Sequence, residues 1–184
     1  MSRLLVLAGP TAVGKGTLIR ALRDRHPELW VSVSATTREP RPGEVDGEHY
    51  HFVTEQEFTS MTEAGELLEW ATVHGKHRYG TPRIPVESSL IAGAPSILEI
   101  DVQGARQVRR NMPEALLVFV APPSWEALVS RLEGRGTEDA RERERRLATA
   151  REELDAAAEF DEIVVNDSID DAVAHLEQLL GLSR

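Results

Sequence analysis

The segment that most constrains this chain lies at its start, MSRLLVLAGPTAVGKGTLIRAL. Arg3–Ala8 is a short run rich in Leu and Val that ends at glycine, and it reads as a buried parallel strand. Leu18, Ile19 and Leu22 recur at helical spacing, which predicts a helix from Lys15 to about Arg25. Between them GPTAVGKGT runs from Gly9 to Thr17. It approaches the phosphate-loop pattern G-x-x-x-x-G-K-[ST], with Gly9, Gly14 and Lys15 in place. Strand, glycine loop and helix in that order are the context the pattern needs. The residue after the lysine should carry a hydroxyl for Mg²⁺ and is Gly16; a hydroxyl stands one place later, at Thr17.

Backbone N–H groups at a helix start cradle anions, and a lysine there reaches phosphate oxygens. Of 21 basic residues only Lys15 and Lys76 are lysines, the rest arginines, so a lysine inside the loop is not a sample of a lysine-rich composition. The formal net charge is −10. Such a chain is a poor general binder of nucleic acid or anionic membrane, so an anionic ligand must be held by a local cluster of positive groups. A length of 184 residues fits one domain with a small insert. No apolar run approaches the roughly 20 residues of a membrane span. The start does not have the pattern of a signal peptide. Without cysteine, disulfides and thiolate metal sites are excluded, and a cytoplasmic location is expected.

Further along, Trp30–Ser34 is expected to be a strand. From Ala35 to about Pro85 the texture changes to Thr, Gly, Glu, His and aromatics, broken by Pro40, Pro42 and Gly43. Here Tyr50–Val53 and Leu67–Val73 read as strands and Glu55–Ala64 as a helix, within a small inserted lobe. The α/β rhythm then resumes. Strands are expected at Ser96–Ile100, Leu116–Val120 and Ile163–Asn166. Helices are expected at Gln103–Asn111, from a Ser124 cap to about Glu133, over Glu138–Glu159 and over Ser168–Leu180. Gly134-Arg135-Gly136 marks a break, and Asp139/Arg143 and Glu142/Arg146 form i,i+4 pairs on the charged helix. Alternating strands and helices imply an α/β fold with a parallel sheet covered on both faces.

Several residues outside the loop are suited to chemistry. Asp101 follows the strand SILEI, at the end where ligands bind in parallel sheets. It is suited to orienting a Mg²⁺ shell, to accepting a base N–H, or to capping the next helix, and the residues leave all three open. IDVQG contains the D-x-x-G of GTP-binding switch proteins, but their guanine reader N-K-x-D is absent. Arg38 and Arg41, stiffened by neighbouring prolines, can grip one phosphate by forked hydrogen bonds, or be solvated in a surface loop. Tyr50 and Tyr79 can add hydroxyls. Glu69 lies in the otherwise apolar LLEWATV. A carboxylate accepts two donors side by side, which guanine offers and adenine does not; an exposed-face glutamate is the plainer reading. Arg131, Arg135 and Arg146 flank the glycine break, where a hinged segment can close over phosphates.

Taken together, these segments resemble the guanylate kinases of the nucleoside monophosphate kinase family. The likeness covers nearly the whole chain and is carried by GPTAVGKGTL, SVSATTREPRPGEVDGEHYHFV, LLEWATVHGKHRYGT, ILEIDVQGA, RLEGRGTE and VVND. The S-x-T-T-R-x-P-R-x-G-E spacing of the second block is its most specific part. The resemblance implies a P-loop NTPase-type parallel sheet flanked by helices. It implies a core at 1–34 and 86–184, a small α+β lobe for the nucleoside monophosphate inserted at 35–85, and a lid at about 134–146. It implies Mg²⁺-dependent transfer of the ATP γ-phosphoryl group to GMP, and to dGMP, giving ADP and GDP in purine metabolism. No nucleic-acid or membrane partner is implied.

By position, the resemblance implies that Gly9, Pro10, Thr11, Ala12, Val13, Gly14, Lys15, Gly16 and Thr17 hold the ATP phosphates, with Asn166 near the adenine. Arg38, Arg41, Tyr50 and Tyr79 would hold the GMP phosphate, and Ser34, Glu69, Thr81 and Asp101 would read guanine. Arg135 and Arg146 would act with Lys15 and Arg38 on the transferring group. The ionised acceptor needs no strong base, so the work is positioning and charge neutralisation for an in-line transfer.

Two departures stand out. Ala12 replaces a glycine of the usual G-P-S-G start and is expected to be tolerated. Gly16 replaces the commoner serine, as in the G-K-G-T of adenylate kinases. Residue 16 has no ligand to give, so no direct protein bond to Mg²⁺ is expected; phosphate oxygens and waters would hold it, oriented by Thr17 and Asp101. Two rival readings are a related kinase making a sugar bisphosphate and an inactive guanylate-kinase-like interaction module. The guanine-suited Glu69 speaks against the first and the intact Gly14-Lys15 against the second.

Overall fold

The structure is a computed structural model that describes residues 3–73, 75–133 and 140–182, the side chains of 140–143 excepted. Five strands form one parallel sheet: β1 (Leu4–Ala8), β2 (Trp30–Val31), β7 (Ser96–Glu99), β8 (Leu116–Ala121) and β9 (Glu162–Val165), in the order β2-β7-β1-β8-β9. Alternate residues of β1 go to opposite sides, as strand geometry requires. Leu5 and Leu7 pack with Leu18 and Leu22 of α1 (Lys15–Arg25), Leu128 of α5 (Trp125–Glu133) and Leu176 of α7 (Ile169–Leu180). Leu4, Val6 and Ala8 pack with Val86 of α3 (Arg83–Ile91) and with Ala105 and Val108 of α4 (Val102–Asn111). Both faces are therefore covered, which is why β1 and β8 read as unbroken apolar runs.

A second sheet has the order β4-β3-β6-β5, from β3 (Ala35–Thr36), β4 (His51–Phe52), β5 (Leu67–Val73) and β6 (His77–Pro82). β3 pairs parallel to β4 and antiparallel to β6, and β5 pairs antiparallel to β6. Helix α2 (Glu55–Glu63) closes a small separate core of Ala35, Phe58 and Leu67 beneath it. Its start is held by a capping box in which Thr54 and Glu57 exchange hydrogen bonds.

The expected elements are present with some differences. Trp30–Ser34 is a strand only over Trp30–Val31. The long charged helix is α6 (Ala140–Asp155), followed directly by a 3₁₀ turn over Ala156–Glu159. Strands β3 and β6 and helix α3 were not expected at all. The Gly134-Arg135-Gly136 break and the Asp139/Arg143 and Glu142/Arg146 pairs lie wholly or partly outside the described residues, as does most of the lid expected at 134–146.

Candidate active site

The order of the parallel sheet decides where a site can form. β1 lies at its centre, and the chain leaves it toward β2 on one side, then returns from β7 across β1 to β8 on the other. Ligands bind outside the carboxyl ends of such strands, where the connections diverge. The glycine loop follows β1 and Asp101 follows β7, so both stand there.

The loop is shaped by what surrounds it. A Cβ on Gly9 would sit 2.4 Å from the Val120 carbonyl oxygen of β8, and one on Gly14 would sit 2.6 Å from Asn166 Nδ2. Gly14 also has φ of 101°, in the left-handed region that favours glycine. It stands at the start of α1, whose first turn carries no acidic residue, so the positive end of the helix is uncompensated. Lys15 Nζ donates to the Gly9 and Pro10 carbonyls at 2.6 and 3.2 Å, which folds the ammonium over the loop. Burial lowers the lysine's pKa, while Glu99, Glu153 and Asp101 oppose that shift.

A cleft of about 370 Å³ opens beside the loop. Gly9, Thr11 and Lys15 line one wall, Ser34, His49 and Tyr50 another, and Glu99, Asp101 and Glu153 converge from β7, α4 and α6. A larger hollow of about 660 Å³ lies along α2, lined by Thr54, Glu57 and Met61, with no basic group on its wall.

Behind the cleft, Glu69 and Thr81 face each other across β5 and β6. The Thr81 hydroxyl donates to Glu69 Oε1 at 2.7 Å. Both are buried polar residues. Burial raises the Glu69 pKa to about 7; the Thr81 hydrogen bond opposes the shift, and nearby Asp101 adds to it. A carboxylate this deprived of water is poised to take paired N–H donors from a ligand. Asp101 Oδ1 accepts the Gly104 N–H at 2.7 Å and so caps α4. Capping and a place on the cleft wall are thus combined in one residue.

Arg38, Tyr50 and Tyr79 form a third group. Arg38 Nε donates to the Tyr79 hydroxyl at 3.2 Å, and the Arg38 guanidinium lies 5.3 Å from the Tyr50 ring centre. The two tyrosine rings meet edge to face with centres 5.8 Å apart. Glu44 receives both terminal nitrogens of Arg38 at 2.9 Å and the Arg41 backbone N–H at 2.7 Å. The guanidinium holds the Glu44 carboxyl down at about 2, and Glu44 in turn raises the Arg38 pKa. Burial raises the Tyr50 pKa.

Asn166 is buried beneath the loop, where Nδ2 donates to the Val13 carbonyl at 2.8 Å. Arg131 donates to the same carbonyl and to the Asn166 carbonyl, at 3.2 and 3.0 Å. Thr17 is exposed in the first turn of α1 and Arg146 lies half-buried on α6, while Arg135 lies outside the described residues. Sequence reasoning gave no role to Glu44, Glu99, His49 or Glu153. Glu44 and His49 stand in the block SVSATTREPRPGEVDGEHYHFV and Glu99 in ILEIDVQGA, whereas Glu153 lies outside every quoted block. Hard oxygen donors suit Mg²⁺ and its waters, and Glu99, Asp101 and the Thr17 hydroxyl are such a set. Among the described residues no group of three or more His, Cys, Asp or Glu side chains stands together as a metal-binding cluster.

The family model for guanylate kinase matches residues 1–182. A guanylate kinase of Rhodococcus jostii is 59% identical over 179 residues, covering 97% of this chain and 86% of that protein. One of Nocardia farcinica is 59% identical over 181 residues, covering 98% and 92%. The crystal structure of guanylate kinase from Anaplasma phagocytophilum superposes with a TM-score of 0.75 at 31% identity, covering 98% of this chain and 85% of that one. A match that runs from the phosphate loop through the second sheet to the last helix makes this chain a member of the guanylate kinase family.

Proposed function

We propose that this chain transfers the γ-phosphoryl group of ATP to GMP, and to dGMP, giving ADP and GDP. The observation that carries this reading is a cleft lined by the phosphate loop, Lys15 and Asp101, with the buried carboxylate of Glu69 close to Asp101. The loop and the N-terminus of α1 hold the ATP phosphates. Glu69, aligned by the Thr81 hydroxyl, accepts the N1–H and N2–H₂ of guanine, together with Ser34 and Asp101 of the cleft lining. Arg38, Arg41, Tyr50 and Tyr79 receive the GMP phosphate. Lys15, Arg38, Arg135 and Arg146 neutralise charge as the phosphoryl group moves in line. Asn166 fixes the loop from below at the end where the adenine lies.

Mg²⁺ bound with ATP supplies charge neutralisation at the phosphate oxygens. Glu99, Asp101 and Thr17 orient its waters, since Gly16 has no side chain to offer. Among the described residues no helix is long and apolar enough to cross a membrane. The reaction is proposed to run in the cytoplasm.

The test is ADP release from Mg-ATP with GMP, dGMP, AMP, CMP and UMP in turn. Turnover confined to GMP and dGMP is expected. Equal turnover of GMP and AMP, or none with either, would overturn the reading.

A further inference from the structure

Strand β5 carries Glu69 and lies in the inserted stretch of the sequence, yet its backbone is fastened to a helix of the core. It is the last strand of the second sheet, with β6 on one side. Such an edge leaves every second residue's N–H and C=O without a strand partner. Helix α4 supplies the partners from its side chains. The Trp70 N–H donates to Gln107 Oε1 at 3.1 Å, and Gln107 Nε2 donates to the Trp70 carbonyl at 2.7 Å. One amide thus satisfies both groups of Trp70, as a neighbouring strand would. One turn further on, Asn111 Nδ2 donates to the Leu68 carbonyl at 2.6 Å. The two residues that flank Glu69 are therefore held by one helix.

The pairing of β5 with β6 breaks step at the same place. Leu67 stands opposite Pro82 and Glu69 opposite Thr81, which leaves Leu68 as an extra residue, a β-bulge. The bulge divides the strand between two cores. Leu67 packs with Ala35 and Phe58 of the lobe, whereas Leu68 packs among Val6 of β1 and Ala105 and Val108 of α4. A bulge re-aims the side chains beside it, and Glu69 is the next residue. Gly104, Gln107 and Asn111 follow one another at helical spacing and share one face of α4. That face meets β5 at Glu69, Trp70 and Leu68 in turn.

We propose that Gln107 is a positioning residue for the guanine reader: by holding the Trp70 backbone, with Asn111 holding that of Leu68, it ties the bulge to α4 and fixes the aim of the Glu69 carboxylate. The apolar contacts of Leu68 keep β5 near the core but are non-directional, so they do not set its register along α4. A pair of opposed hydrogen bonds to one residue does. This rests on the role given to Glu69 above, and the experiment separates the two.

The variants are Gln107→Ala, Gln107→Met, Glu69→Gln and the double variant Glu69→Gln/Gln107→Ala, each measured for kcat, both KM values and melting temperature. Gln107→Met keeps the length of the side chain and removes both hydrogen bonds. Each Gln107 variant is expected to raise the GMP KM by about tenfold, with kcat and the ATP KM within about twofold. On the Glu69→Gln background, Gln107→Ala is expected to change kcat/KM for GMP by less than about twofold, because a residue that acts through another adds nothing once that one is gone. An unchanged GMP KM in Gln107→Ala would overturn the proposal. So would the same loss repeated on the Glu69→Gln background, or an ATP KM that rises with the GMP KM as melting temperature falls. A Gln107→Met variant with the parent GMP KM would also overturn it, since the side chain would then act by packing alone. If Glu69→Gln leaves GMP kinetics intact, the role given to Glu69 fails first and the proposal falls with it. If Glu69→Gln weakens GMP and Gln107→Ala does not, the proposal alone fails.

Discussion

The Glu69 carboxylate leaves no room for a side chain at Gly104: a Cβ built there would stand 2.8 Å from Glu69 Oε2 and 3.3 Å from its Cδ. Gly104 lies in the first turn of α4, where its N–H also ties down Asp101. The glycine of IDVQGA is thus required by a residue 35 positions earlier (104 − 69) and not by its own backbone. Gly104→Ala should push the carboxylate out of line with Thr81. The displaced atoms are the end of a side chain, so stability should fall by no more than about 1 kcal/mol. The GMP KM should rise by at least about tenfold while the ATP KM stays, a split read from steady-state kinetics.

Replacing the carboxylate itself tests the guanine reader directly. Glu69→Gln keeps the shape and the Thr81 contact but puts a donor where an acceptor stood. Transition-state binding of GMP should weaken by roughly 2–4 kcal/mol, measured as kcat/KM. AMP turnover should not suffer a comparable loss. Unchanged GMP kinetics would remove Glu69 from the site.

The burial of Glu69 also sets a pH dependence. Its pKa rises from 4.5 to about 7, because the fold withdraws water from the carboxylate. The folded chain therefore holds a proton that the unfolded chain releases earlier. The resulting stabilisation is complete below about pH 4.5 and is lost as pH rises to about 7. GMP reads the opposite form, since two N–H donors need the ionised acceptor. Affinity for GMP should rise through pH 7 and level above it, and binding near pH 6.5 should release a proton. Calorimetry in two buffers of different ionisation enthalpy measures that release. Glu69→Gln should abolish this share of it, leaving only the share from the nucleotide's own phosphate.

Lys15 separates binding from chemistry in the same assay. Its ammonium rests on the Gly9 and Pro10 carbonyls, and the loop N–H groups and the end of α1 remain when it is removed. Lys15→Ala should lower kcat by about 10²–10³-fold, the usual scale for losing one preorganised donor, with a smaller change in the ATP KM. Single-turnover rates check it.

The parallel core was legible because β1 and β8 are buried on both faces and α7 begins at a serine cap, here Ser168 accepting from the Asp171 N–H. β6 was not legible. HRYGTP contains Gly80 and Pro82 and has no apolar alternation, and its strand exists because β5 and β3 pair with it from both sides. α3 hides for a related reason. Pro85 stands in its first turn, where the missing N–H costs nothing, and no side chain caps its start. In the site, Lys15, Glu69 and Arg38 announced themselves by residue type inside motifs. Glu153 sits in the charged run REELD, which reads as a solvated helix face, and only the packing of α6 brings it to the cleft that Thr11 also lines.

Ala12 is the one residue of the loop that is held against its own preference. Its φ of 66° makes it the only non-glycine with positive φ among the described residues. An L-residue there brings its Cβ close to the following carbonyl, at a cost of about 1–2 kcal/mol. Glycine escapes that clash but loses more freedom on folding, by roughly 0.5–1 kcal/mol relative to alanine. The difference favours glycine, so Ala12→Gly should stabilise the chain by about 0.5–1 kcal/mol, seen as a rise of a few degrees in melting temperature. Because the backbone already has the shape glycine prefers, kcat and both KM values should stay within about twofold. A lower melting temperature would mean that the methyl group makes a packing contact stronger than the strain it carries.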